Sequence, residues 1–189
     1  FYNCVILIYS LFIMKVRTVN IKLVVGSLSN IEADAYVLPY FPYHVNPDNE
    51  RLEVKSAGAR GVRRFIDLRM TRHLRGHNLS LGEMYITQSG GGKSKFLVNI
   101  VCRSHNAENI CSGIHTGLIG MFIEAPKYHL QTVAMTPLCI RDGLTELAFV
   151  RELRSAIESY VQDVSIAEII IACKDEEQRV QIETALAEQ

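Results

Sequence analysis

No charge of one sign prevails in this sequence. Its 189 residues carry 20 Lys and Arg against 20 Asp and Glu, so no net field draws it toward nucleic acid, membrane or acidic substrates. Cysteine is sparse and irregular. The five (Cys4, Cys102, Cys111, Cys139 and Cys173) are odd in number and form no CxxC pair, which argues against a disulfide framework and fits a reducing, cytoplasmic setting. The most apolar stretch, Phe1 to Ile13, is too short to cross a bilayer, which takes about 20 residues. It also lacks a basic leader and a small-residue cleavage site, so a complete signal peptide is disfavoured. Met14-Lys15 reads as a natural beginning. Residues 1–13 are then an apolar extension from upstream sequence, with an extra edge strand or a truncated signal core as the alternatives, and 14–189 form a single domain.

Several enzyme signatures are missing as well. Gly92-Lys93-Ser94 suggests a P-loop, but the required glycine five positions before Gly92 is Thr87. The glycines also join two strands rather than a strand and a helix. There is no Gly-x-Ser-x-Gly elbow, and no Ser/His/Asp or Cys/His order can be read. His73 and His77 have the spacing of one helix face without the carboxylate of HExxH. Cys102, His105, Cys111 and His115 are zinc-type ligands. However, Cys102 closes a buried strand and His115 follows Ile114 on the main apolar stripe, so bringing all four together would compete with packing that helix. They read as buried thiols and surface imidazoles, and no metal or cofactor is implied.

What is present is ordinary globular material, 48% apolar and 21% charged. At this length roughly 70% of the unfolded chain's surface can be buried, enough for a core without disulfides or metal. Short apolar runs alternate with helical periodicities. Strands are expected at Ile21 to Val25, at Ala35 to Leu38 (ended by Pro39, which cannot donate to a ladder) and at Gln131 to Met135. Another is expected at Ala167 to Cys173. Glu83 to Gln88 and Phe96 to Cys102 read as a hairpin. Helical stripes run Val62 to Leu74, Ile110 to Ala125 and Leu147 to Val161, and Asp175 is a suitable N-cap for a last helix, Glu176 to Ala187. This order predicts a mixed sheet between helix layers. Six arginines (Arg60, Arg63, Arg64, Arg69, Arg72 and Arg75) accompany one acid, Asp67. They form either a solvated basic helix face or a local polyanion surface.

Read in order, these pieces resemble the macro domain over most of Ile21 to Glu188. Ile21 to Val37 is similar to that family's opening strand, Gly-Asp-Ile turn and second strand. Leu81 to Cys102 resembles its hairpin, Thr132 to Leu144 its strand, Pro and phosphate loop, and Ser165 to Ala187 its closing strand and helix. The resemblance implies a three-layer α/β/α sandwich with a mixed, about six-stranded sheet and a cleft for ADP-ribose at the strand C-termini. It places the ligand-binding positions at Ser27 and Leu28, at Phe41, at Gly58, Ala59, Arg60, Gly61 and Val62 (first phosphate loop), and at Ile140, Arg141, Asp142, Gly143 and Leu144 (second loop).

This sequence departs from the family pattern at several of these positions. Ser27 stands where the family has the Asp that bonds the adenine amino group. Phe41 stands where it has the Asn that addresses the distal ribose and supports hydrolysis. Ile140 resists the positive φ a glycine would supply, and Asp142 repels a diphosphate that Arg141 would attract. Each lost hydrogen bond to a buried ligand group costs roughly 1–3 kcal/mol, and each ~1.4 kcal/mol is tenfold in affinity. The expectation is therefore a non-catalytic module for ADP-ribose or a related nucleotide. One alternative is a protein-interaction or regulatory domain with a lost pocket, like the macro-like N-terminal domain of leucine aminopeptidases. There the segment Leu38 to Tyr43 would fill the pocket or serve docking or self-association. A second is an ADP-ribosyl hydrolase using Asp142 or His44 as base. A third and weaker alternative is RNA or poly(ADP-ribose) binding along Arg60 to Arg75. No membrane partner is expected.

Overall fold

The computed structural model describes residues 13–16, 19–40, 80–89, 93–160 and 165–188. Seven strands form one sheet: β1 (Ile13–Val16), β2 (Val19–Val25), β3 (Ala33–Tyr40), β4 (Met84–Gln88), β5 (Ser94–Val101), β6 (Thr132–Met135) and β7 (Glu168–Cys173). Their order across the sheet is β1-β2-β7-β6-β3-β5-β4. The five central strands are mutually parallel, and β1 and β4 are antiparallel additions at the two edges. The expected six-stranded sheet is thus present as β2 to β7. Ile13–Val16 adds a seventh strand at the edge, with Ile13 opposite Lys22, and residues 1–12 lie outside the described residues.

β7 is a nearly continuous apolar run because both of its faces are buried, whereas β2 is interrupted by the exposed Asn20 and by Lys22. In β7, Ile169, Ile171 and Cys173 face one core, and Ile170 and Ala172 face another. The first core is covered by three helices, α1 (Ala107–Glu124), α2 (Glu146–Ser159) and α3 (Glu176–Ala187). Each begins where the sequence supplies a cap. The side chains of Asn106, Thr145 and Asp175 accept from the N–H groups of Glu108, Ala148 and Gln178, satisfying donors that the first helical turn leaves unpaired. The stripe Ile110, Ile114, Leu118, Met121 and Phe122 packs into this core, as its spacing predicts. The second face buries Leu28, Tyr36, Leu38, Tyr40, Leu97 and Val101. The Val62 to Leu74 stripe lies outside the described residues. Among the described residues no helix is long and apolar enough to cross a membrane.

One strand boundary differs from expectation. β3 does not end at Pro39 but runs on to Tyr40, with Pro39 opposite Ile100 of β5. Its pairing with β6 stops at Val37. Beyond that point β3 is laddered on one side only, and a residue without an N–H costs no rung when its nitrogen faces the open side.

α1 lies against β5 through glycines. A Cβ on Gly113 would stand 2.8 Å from Cys102 Cα, and one on Gly117 would collide with the Ile100 side chain. The helix therefore sits close to the strand whose end carries Cys102 and Arg103.

Candidate functional site

Ligands of open α/β sheets bind beyond the carboxyl ends of the parallel strands, and here that edge is uneven. The last paired residue of β6, Met135, stands opposite Val37 and Ile171. β3 continues three residues past Val37 and β7 two past Ile171. The β6 ladder therefore stops two to three residues before its neighbours end, and the chain beyond it continues with Pro137, Leu138 and Cys139 buried.

The segment Thr136 to Leu144 leaves β6 at this edge. Leu138 and Leu144 are buried in the main core and anchor its two ends. Between them, Ile140–Asp142 forms one 3-10 turn, flanked by Cys139 at φ 60° and Gly143 at φ 94°. Positive φ is therefore required of Cys139 and not of Ile140, which packs against the core. The sequence expectation had placed that demand one residue too late. A non-glycine residue in this conformation costs roughly 1–2 kcal/mol, and the buried flanks hold it there. Gly143 is exposed, with no heavy atom within 4 Å of where a Cβ would lie. The N–H groups of Asp142, Gly143 and Leu144 donate back to the carbonyls of Cys139, Ile140 and Cys139. The closing half of the turn is thus committed to its own structure.

Asp142 is not the bare negative charge that the sequence suggested. Arg103 Nε donates to its Oδ2 at 2.8 Å and Nη2 to its Oδ1 at 2.6 Å. The two side chains are only 19% and 15% exposed. Arg103 follows β5, and the Cys102 and Arg103 N–H groups both donate to the carbonyl of Tyr40 at the end of β3. Because β3 lies between β6 and β5, the ion pair passes over the end of β3. Alongside it, Cys102 Sγ and Cys139 Sγ meet at 3.5 Å. Hydrogen bonding to the Cys102 thiol, and then burial, push the Cys139 thiol well above its ordinary range. It stays protonated at neutral pH, and a protonated buried thiol is a packing group rather than a nucleophile. Sequence reasoning missed Arg103. The available signal was its position as the first charge beyond a buried strand on this edge.

The other predicted positions divide into three groups. Gly26 follows β2 with φ 149° and open space around it, and Ser27 then opens a 3-10 turn with its Oγ 2.9 Å from Ser29 Oγ. Leu28 is buried in the second-face cluster, so it offers a ligand only its backbone. β2 stands two strands from β6, about 10 Å away across the sheet. Arg141 is the middle residue of the β6 turn. Phe41, Gly58, Ala59, Arg60, Gly61 and Val62 lie outside the described residues. Tyr40, in the segment offered as a plug, packs into the second face with Leu38, and residues 41–43 lie outside the described residues.

The zinc-type residues separate. Cys102 turns to Cys139, while His115 Nδ1 lies 3.8 Å from Glu152 Oε2 on α2. Among the described residues, no three His, Cys, Asp or Glu side chains are placed to hold a metal.

No protein-family model matches the sequence, and no curated protein does. The fold does find matches. A variant of the Oceanobacillus iheyensis macrodomain superposes with a TM-score of 0.75 at 11% identity, over 95% of this chain and 97% of that one. The same macrodomain with ADP gives 0.74 at 12% identity, over 95% and 96%. The Trypanosoma brucei macrodomain in complex with ADP-ribose gives 0.61 at 14% identity, over 88% of this chain and 68% of that one. Likeness of this extent at such low identity establishes that the chain has a macro-domain fold.

Proposed function

We propose, taking the macro-domain fold as the premise, that this chain is a non-catalytic binding module for ADP-ribose or a related adenosine nucleotide, held at the C-terminal edge of the sheet. The observation that carries this reading is the turn after β6, at the carboxyl edge of the sheet, which exposes Gly143 with open space on its Cβ side. A glycine at that point lets a ligand approach the backbone without meeting a side chain. The turn from Ile140 to Leu144 would take the phosphates together with Gly58 to Val62, and Ser27 would lie toward the base. That macrodomains of the same fold are known with ADP and with ADP-ribose supports this ligand class. The non-catalytic part rests on Phe41, which offers neither donor nor acceptor at the position the family resemblance gives to a ribose-binding Asn. The setting assumed is cytoplasmic, as the cysteine pattern implies.

Titration calorimetry with ADP-ribose tests the reading. Saturable binding at micromolar to low millimolar ligand is expected. Absence of heat and of any thermal shift at millimolar ligand would remove it.

A second reading, a protein-interaction domain whose nucleotide pocket is lost, is favoured by one observation. The amides of Asp142, Gly143 and Leu144 are spent within their own turn. Light scattering that shows a strict monomer at high concentration would end its self-association form.

A further inference from the structure

We propose that Arg103 is the anion-recognition residue of this site, and that Asp142 is its built-in counter-ion, displaced when the phosphate of a ligand arrives. The ligand class rests on the nucleotide reading above. The residue pair rests on geometry alone.

Asp142 engages the Nε–Nη2 edge of the guanidinium with both carboxylate oxygens, at 2.8 and 2.6 Å. That edge is a planar two-donor fork whose spacing fits two oxygens of a phosphate as well as it fits a carboxylate. The pair is also not a surface ornament. At 19% and 15% exposure the two charges are largely removed from solvent, where their interaction is screened less than that of exposed pairs. The guanidinium lies at the carboxyl edge of the sheet, by the end of β3. It is held there from behind by the Cys102 and Arg103 N–H bonds to the Tyr40 carbonyl.

The two partners differ in how firmly they are mounted. Arg103 follows directly from a buried strand. Asp142 belongs to the 3-10 turn, next to Gly143, which is exposed and has open space on its Cβ side. A ligand phosphate therefore meets a cation already positioned, with a carboxylate in its place that can move outward. Exchange of one anion for another conserves charge at the guanidinium, so neither state leaves it unpaired. A static strut between two strand ends would share the distances but not the consequence. Removing the carboxylate from a strut only weakens the protein, whereas removing an internal competitor strengthens ligand binding.

Calorimetry on the full chain separates these cases, with inorganic pyrophosphate and ADP-ribose as probes against wild type, Asp142→Asn, Arg103→Gln and the double variant. Asp142→Asn is expected to bind at least tenfold more tightly than wild type. Arg103→Gln is expected to lose at least tenfold, and the double variant to bind no better than Arg103→Gln. Asp142→Ser is carried alongside, with thermal melts on all samples, so that a folding failure of one Asp142 variant leaves the other to decide. If neither folded Asp142 variant binds either probe more tightly than wild type, the proposal is overturned. Measurable ADP-ribose binding with no tightening of either probe in the Asp142 variants would overturn it while leaving the nucleotide reading intact. Pyrophosphate tightening without ADP-ribose binding would do the reverse.

Discussion

Replacing Gly113 by alanine puts a methyl group 2.8 Å from the Cα of Cys102 and 3.1 Å from both the Val101 carbonyl oxygen and Leu81 Cδ1. Two of these three obstacles are backbone atoms of a buried strand end, so the helix or the strand must shift rather than a side chain rotate. Glycine to alanine inside a helix is worth about 1 kcal/mol in propensity, whereas forcing an extra carbon into a filled core costs about 1–3 kcal/mol. With backbone as the obstacle, the upper part of that range applies, and the net loss is about 1–2 kcal/mol. For a chain of this size each kcal/mol moves Tm by about 2–4 °C, so Gly113→Ala should melt about 2–8 °C below wild type. Gly120 in the same helix provides the control. A Cβ there meets only Met84 Cβ and Cε, both at 3.7 Å, which is ordinary contact. Propensity then prevails, and Gly120→Ala should gain about 0.5–1 kcal/mol. Thermal melts and urea midpoints on the two variants measure both signs. If Gly113→Ala melted at or above wild type, or Gly120→Ala clearly below it, the claim that glycine spacing sets the distance between α1 and β5 would be refuted.

Other outcomes follow from single contacts. Asp175→Ala leaves the Gln178 N–H at the start of α3 without its side-chain acceptor and should cost about 1 kcal/mol, read as a lower urea midpoint. Burial pushes the Cys173 thiol from 9.0 up to about 12. Because the fold favours the neutral form, the stabilisation is whole below pH 9 and is lost as pH rises through about 12. Urea midpoints taken from about pH 8 upward should therefore fall more steeply for wild type than for Cys173→Ala, and parallel profiles would contradict the assignment.

The strand β7 was readable from the sequence because it is buried on both faces. Ile169 to Cys173 is a run that solvent could not tolerate, and the alternation of such runs with helical stripes fixes the α/β class. The cap at Asp175 was legible for a similar reason, since its effect is confined to one helical turn. The continuation of β3 through Pro39 was not, because it depends on where β6 stops, and strand lengths are settled by partners distant in sequence. The same holds for the site. Asp142 and Arg103 are 39 residues apart, and no periodicity announces a pair formed by two loops brought to one edge. Cys139 takes the positive φ that the sequence argument assigned to Ile140, because the anchors Leu138 and Leu144 set the register of the turn. Burial requirements, rather than the preference of either residue, decide that.

The position of β2 has a consequence for how the chain assembles. It lies between β1, which adjoins it in sequence, and β7, whose pairing with it joins Asn20 to Glu168 and Val25 to Cys173. As the polypeptide leaves the ribosome, its earliest central strand keeps one edge waiting until β7 is made. Any product truncated before Glu168 leaves Val19–Val25 with an open border, the kind of edge that recruits strands from other molecules. Completion of the last βα unit is thus what closes the sheet.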